Sequence, residues 1–136
     1  MSSSSLVADT EDSLRALSRD LTTVRPGECL LCYVYRMLEF GCIGLRWALA
    51  YRDAVAPRAT ALKARLGSKG GYCDCEIFMN AYELAPQYWI VPDEVEDESG
   101  YAVQEDPSYP EVLPACHGVR GGSVQGCSLW VRSRRW

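Results

Sequence analysis

Apolar positions recur every third or fourth place as far as Pro86, the interval that lays them along one face of a helix. The first such stripe is Leu14, Leu17 and Leu21. It follows Asp9-Thr10-Glu11-Asp12, acids that suit the positive end of a helix dipole. A helix is therefore predicted from residue 9, after a polar, mobile leader at 1–8, and Pro26-Gly27 breaks it. A second helix is predicted over 28–40, where Leu31, Val34, Tyr35 and Leu38 repeat, and Gly41-Cys42 ends it. A third, over 43–55, carries Ile43, Trp47, Ala50, Tyr51 and Ala54 on one side, with Arg46, Arg52 and Asp53 towards the other. Pro57 suits the first turn of a fourth over 58–66, with Ala59, Leu62 and Leu66 inward and Gly67 as its stop. After a Gly70-Gly71 turn, Asp74 is the expected N-cap of a fifth helix. That helix holds Ile77, Phe78, Ala81 and Tyr82, and Pro86 stops it.

From Gln87 the period is lost. Tyr88-Trp89-Ile90-Val91 reads as a short strand or a packed extended segment, and 92–114, rich in Asp, Glu, Pro, Ser and Tyr, as a surface loop. A glycine-rich turn at 115–123 leads through Gly126-Cys127 to Leu129-Trp130-Val131 and a basic end. No internal repeat is visible. The fold class expected is mostly α: a small domain of about four to five short helices with an extended, irregular, acidic C-terminal third.

Composition changes the picture in two ways. At 136 residues and 48% hydrophobic, the chain has the length of one domain and enough apolar side chains for a packed interior, which excludes wholesale disorder. The net charge of −4 implies no particular partner, but the charge is unevenly placed. Between Lys69 and Arg120 there are eleven acids and no Lys or Arg, whereas Arg120, Arg132, Arg134 and Arg135 close the chain with no acid among them. An acidic belt and a basic tail can pair within one molecule.

Seven cysteines form the main candidate chemistry. Cys29-Leu30-Leu31-Cys32 has the spacing of a zinc knuckle, and Cys73-Asp74-Cys75 is a tighter second pair. On an extended strand Cys73 and Cys75 would face opposite ways, but in a turn entering a helix they can converge. Cys29 and Cys32 fall in the first turn of the second helix, where free amides favour thiolates. The expected site is one structural zinc on Cys29, Cys32, Cys73 and Cys75. Inert buried thiols are the plain alternative. Cys42, Cys116, His117 and Cys127 supply either a second site or substitutes in the first. On this reading residues 9–91 are the metal-binding helical core, and 92–136 are an acidic loop, a second Gly/Cys turn and a basic tail packed on it.

The N-terminus has neither a basic nor an apolar signal segment, and no apolar run approaches the ~20 residues of a membrane span. A cytoplasmic protein with reduced thiols and no membrane association is expected. Support for catalysis is slight: His117 directly follows Cys116, and no phosphate-binding Gly-x-x-x-x-Gly-Lys string exists. The reading is therefore a non-enzymatic zinc-binding module acting through a macromolecular partner, with a protein favoured by four Trp and eight Tyr. The first alternative is thiol–disulfide exchange at Cys29 and Cys32, although no strand precedes that pair. The second is weak nucleic-acid binding by Trp130, Arg132, Arg134, Arg135 and Trp136, where arginines alternate with rings that can stack on bases.

The Gly70-Gly71-Tyr72-Cys73-Asp74-Cys75-Glu76 string, with Gly41-Cys42 and Leu45-Arg46-Trp47, resembles a bacterial family of small cysteine-containing proteins of unknown function. The resemblance covers roughly residues 28–81. In the family pattern Gly-Cys is followed by Asp-His-Thr or a similar triplet before Leu-Arg; here Ile43-Gly44 stands there, without the histidine. The resemblance implies that any ligand role of that histidine passes to another group, with Cys29 or Cys32 the natural substitute. It implies no activity.

Overall fold

A computed structural model describes residues 3–103 and 105–133. Among them the chain is mostly helical, with five α-helices and four short strands. Helix α1, Ser3–Thr22, includes residues 3–8 of the stretch expected to be a mobile leader. Its leucine stripe is not covered by the other described residues: Leu14, Leu17 and Leu21 are 60%, 55% and 49% exposed. The Tyr33 hydroxyl donates to Thr22 O at 2.7 Å and ties the end of α1 to the core.

Helix α2, Leu30–Met37, is shorter than the periodicity predicts, with Cys29 as its N-cap and a 3-10 turn, Leu38–Phe40, at its end. Helix α3, Arg46–Val55, also starts late, because residues 41–45 form a turn with left-handed glycines at 41 and 44. The two helices pack through Tyr33 and Tyr51, whose rings stand 5.8 Å apart. The buried Tyr51 hydroxyl donates to Glu28 O at 2.8 Å. Helix α4, Leu62–Ser68, begins after a run of turns, so Pro57 lies before it and Gly67 inside it. Leu62 and Leu66 remain its buried residues.

The fifth helix departs most from expectation. Helix α5, Asp74–Glu76, passes at once into a π-turn, Ile77–Ala81, and the chain then extends as strand β1, Tyr82–Leu84. Strand β1 runs antiparallel to a strand at the far end of the chain, Trp130–Arg132, with Leu84 opposite Trp130 and Tyr82 opposite Arg132. That pairing satisfies backbone groups a longer helix would otherwise have bonded internally. Within the acidic third, β2 (Val95–Glu96) and β3 (Ala102–Val103) form a small hairpin, and Ile90 bridges Ser108. The strand Trp130–Arg132 is thus β4.

Asp74 does not cap its own helix; Cys73 holds that position. Its fully buried carboxylate instead accepts from the amides of Trp47 at 3.0 Å and Ala48 at 3.1 Å, closing the N-terminus of α3. Leu45, the N-cap residue of α3, has no side-chain acceptor of its own. Burial pushes the Asp74 carboxyl above the usual carboxylate range, and the two amides oppose it. The folded chain therefore holds this proton more tightly than the unfolded chain. The contribution is full at pH below the unfolded value and is lost as pH rises through the raised folded value. Asp74→Ala leaves two buried amides without an acceptor and is expected to cost about 1–3 kcal/mol at neutral pH. Asp74→Asn keeps one acceptor and should cost less. Urea midpoints of the three proteins check the order.

The core is formed by α2, α3 and the far end of the chain together. Leu30, Leu31, Tyr33, Val34, Met37, Ala48, Tyr51, Ile77, Leu84 and Leu129 are all almost completely buried. Each of the Leu, Ile, Val and Met side chains among them contributes on the order of 1.5–3 kcal/mol through burial. Leu129 and Trp130 make the C-terminal segment part of that interior.

Candidate metal centre

Four cysteines from two distant parts of the chain meet at the N-terminus of α2. The sulfurs of Cys29, Cys32, Cys116 and Cys127 all lie within 4.8 Å of one another. Cys29 and Cys32 come from one knuckle at the start of α2, held from behind by Glu28. The buried Glu28 carboxylate takes two bonds from Arg36, at 2.8 and 2.9 Å, and a third from the Arg25 amide at 3.0 Å. Such a forked, largely buried pair fixes its backbone more firmly than an exposed one.

The other two cysteines arrive through backbone bonding. Val119 N donates to Gly27 O at 3.0 Å and Ala85 N to Leu129 O at 2.7 Å, laying the C-terminal segment along both α2 and β1. Gly118 turns the chain just after Cys116 with φ 85°, a left-handed conformation that glycine adopts without strain. Gly126, just before Cys127, lets the backbone sit against α2; a Cβ there would fall 2.5 Å from Leu31 Cδ1.

Hydrogen bonds to sulfur organise the cluster. Cys32 N donates to Cys29 Sγ, Trp130 Nε1 to Cys32 Sγ, and the amides of Cys29 and Gly118 to Cys116 Sγ, each at 3.3 Å. The amides of Leu129 and His117 approach the Cys127 sulfur. The hydrogen bond from Cys32 lowers the Cys29 thiol to about 5, against the opposing effect of burial. Cys32, which keeps the shared proton, is raised, and burial raises Cys127. One thiolate forms readily, and further negative charge in this space calls for a cation.

The cluster is half sheltered. Cys29 and Cys127 are buried, whereas Cys32 and Cys116 are partly exposed and line one wall of a cleft of about 960 Å³ shared with Tyr35 and Leu113.

Of the four cysteines first grouped from the sequence, the structure brings together Cys29 and Cys32, and joins them to Cys116 and Cys127. Cys73 and Cys75 stand elsewhere, beside Cys42, whose sulfur accepts from Cys75 N at 3.3 Å. The reason lies in Asp74: its side chain turns inward to α3, and the cysteines on either side flank the turn 41–45 instead of α2. His117 is exposed, hydrogen-bonded through Nδ1 to Ser128 Oγ, with its ring 6.0 Å from that of Tyr88. Trp130 is only 6% exposed and its indole N–H is committed to Cys32, so no base can stack on it. Arg132 is exposed over the Tyr82 ring; Arg134, Arg135 and Trp136 lie outside the described residues. The roles of Trp130 and Asp74 were not legible as such, because each acts on a partner remote in sequence.

Residues 30–80 match the family model described as "Protein of unknown function (DUF2695)", which supports an uncharacterised domain family over that stretch. The matched residues include Cys32, Cys42, Cys73 and Cys75 but not Cys29, Cys116 or Cys127. No curated protein and no solved structure matches the chain. Among the described residues, no helix is long and apolar enough to cross a membrane.

Proposed function

We propose that the chain is a non-enzymatic zinc-binding domain in which Cys29, Cys32, Cys116 and Cys127 are the four ligands and the metal is structural. The observation that carries this reading is the convergence of four sulfurs, with N–H groups directed at them. Four thiolates around zinc at ~2.3 Å form a tetrahedron with edges of about 3.8 Å. Cys32 and Cys127 already stand 3.8 Å apart. Four protein ligands leave no open position for a substrate, the arrangement of structural rather than catalytic zinc. The domain then acts by presenting its surface to a protein partner in the reducing cytoplasm.

One observation favours thiol–disulfide exchange at Cys29 and Cys32 instead, namely the low value of the Cys29 thiol. Yet Cys29 is fully buried. A nucleophilic thiol has to reach its substrate, which favours the structural reading. Elemental analysis of the purified chain tests it. About one zinc per chain and a colourless solution are expected. Iron in its place, seen as strong visible absorption, would correct the metal. A folded, metal-free chain with disulfide reductase turnover that disappears in Cys29→Ser would replace the structural reading with the redox one.

A further inference from the structure

The Cys-x-Cys pair that the metal centre leaves aside has its own neighbour. Cys42 is exposed in the turn that follows α2, and its sulfur accepts from the Cys75 amide at 3.3 Å. Cys73 lies on the same segment, next to the Cys42 side chain, and burial holds its thiol above the ordinary value. Two backbone segments far apart in sequence are held side by side here, since Asp74 N donates to Gly44 O at 2.8 Å. The inward Asp74 carboxylate, bonded to α3, fixes the same junction from the other side.

These thiols are separate from the four around α2. Among the described residues, only Cys29, Cys32, Cys116 and Cys127 form a group compact enough for a metal. Cys42, Cys73 and Cys75 are more accessible than Cys29 and Cys127, and Cys42 is the most exposed cysteine class in the chain. Accessibility, a neighbouring second thiol and an N–H directed at the first sulfur are what thiol–disulfide exchange requires.

We infer that Cys42 and Cys73 are a redox-active dithiol that reacts with low-molecular-weight disulfides while the metal centre stays intact. Cys42 is the attacking residue. Its thiolate attacks one sulfur of an external disulfide, R–S–S–R; that S–S bond breaks, and the released RS⁻ takes up the proton Cys42 gave up. Cys73, once it has given its proton to solvent, then attacks Cys42 Sγ. The Cys42–S–R bond breaks, and the second RS⁻ takes up that proton from solvent. Two cysteine thiols are oxidised to one disulfide, and the external disulfide is reduced to two thiols. The new bond fastens the turn 41–45 to the start of α5, next to the exposed Ile43 and Tyr72.

The turn is able to accept it. Gly41 and Gly44, which flank Cys42, adopt φ of 107° and 53° and face open space, so the backbone can adjust as the sulfurs close to bonding distance.

The experiment uses the full metal-loaded chain and oxidised glutathione as the probe, with peptide mapping after alkylation and metal content measured in parallel. The expected product is a Cys42–Cys73 disulfide with metal content unchanged. Cys73→Ser should trap glutathione on Cys42, and Cys42→Ser should slow modification of Cys73 at least tenfold. Because Cys42 is exposed, Cys42→Ser should keep the parent circular dichroism spectrum, which separates lost reactivity from lost fold. Three results overturn the inference: glutathione that persists on Cys42 in the parent chain with Cys73 still reduced; oxidation that begins at Cys29, Cys32, Cys116 or Cys127; and protection of Cys42, Cys73 and Cys75 by a second equivalent of zinc. A chain that proves metal-free but still forms the Cys42–Cys73 bond would refute the zinc reading and leave this one standing.

Discussion

Cys127→Ser is expected to abolish cooperative folding of the domain, and chelation of the metal should do the same. The four sulfurs join a knuckle at the start of α2 to a segment that also supplies Leu129, Trp130 and β4. Structural zinc contributes apparent free energies of about 10–16 kcal/mol in small sites. Whole domains are stable by only about 5–15 kcal/mol. Loss of the metal therefore exceeds what the remaining contacts can offset. The cleft beside Cys32 and Cys116 gives a chelator access to the centre. Cys75→Ser serves as the contrast. Its sulfur takes no part in the cluster, so that variant should keep its metal and most of its melting temperature. Circular dichroism melts and metal content measured on the same samples decide the matter. A metal-free Cys127→Ser protein that melts like the parent would show the centre to be dispensable.

The second large effect is expected at Trp130. Its ring packs 5.1 Å from Phe78 and 5.5 Å from Tyr35, and its indole N–H donates to Cys32 Sγ. Trp130→Ala empties a site between α2, the π-turn and β1, at a cost of about 3–5 kcal/mol. That is a large fraction of the stability of a domain this size. Trp130→Phe restores most of the packing but not the N–H, so its cost should fall to about 1–2 kcal/mol. The two variants separate packing from the sulfur bond. Both should lose metal to a chelator faster than the parent, since both leave the Cys32 thiolate without its donor. Equal urea midpoints for Trp130→Ala and the parent would mean the ring is not part of the core.

Helical content was legible along the first two thirds of the chain because helix periodicity is a local property. Leu31 and Val34 on α2, Trp47 and Tyr51 on α3, and Leu62 and Leu66 on α4 are buried as their spacing predicts. The stripe on α1 shows the limit of that logic. Leu14, Leu17 and Leu21 have helical spacing and form a helix, yet among the described residues nothing covers them. Spacing identifies an apolar face and does not supply its partner. The fifth helix fails for a related reason. Ile77, Phe78, Ala81 and Tyr82 suit a helix, but β4 offers Tyr82, Glu83 and Leu84 a strand partner from the other end of the chain.

The chemistry divides in the same way. Sequence alone determined that this is a mostly helical chain rich in thiols, with a Cys-x-x-Cys knuckle at a helix start, since each of those features is set within a few residues. Tertiary structure decided which thiols meet. Cys29 N reaches Cys116 Sγ across 87 positions, and Trp130 reaches Cys32 across 98, distances over which no local pattern operates. Backbone bonds from Val119 to Gly27 and from Ala85 to Leu129 bring Cys116 and Cys127 to Cys29 and Cys32. Asp74, drawn inward by the two orphan amides of α3, carries Cys73 and Cys75 away to Cys42.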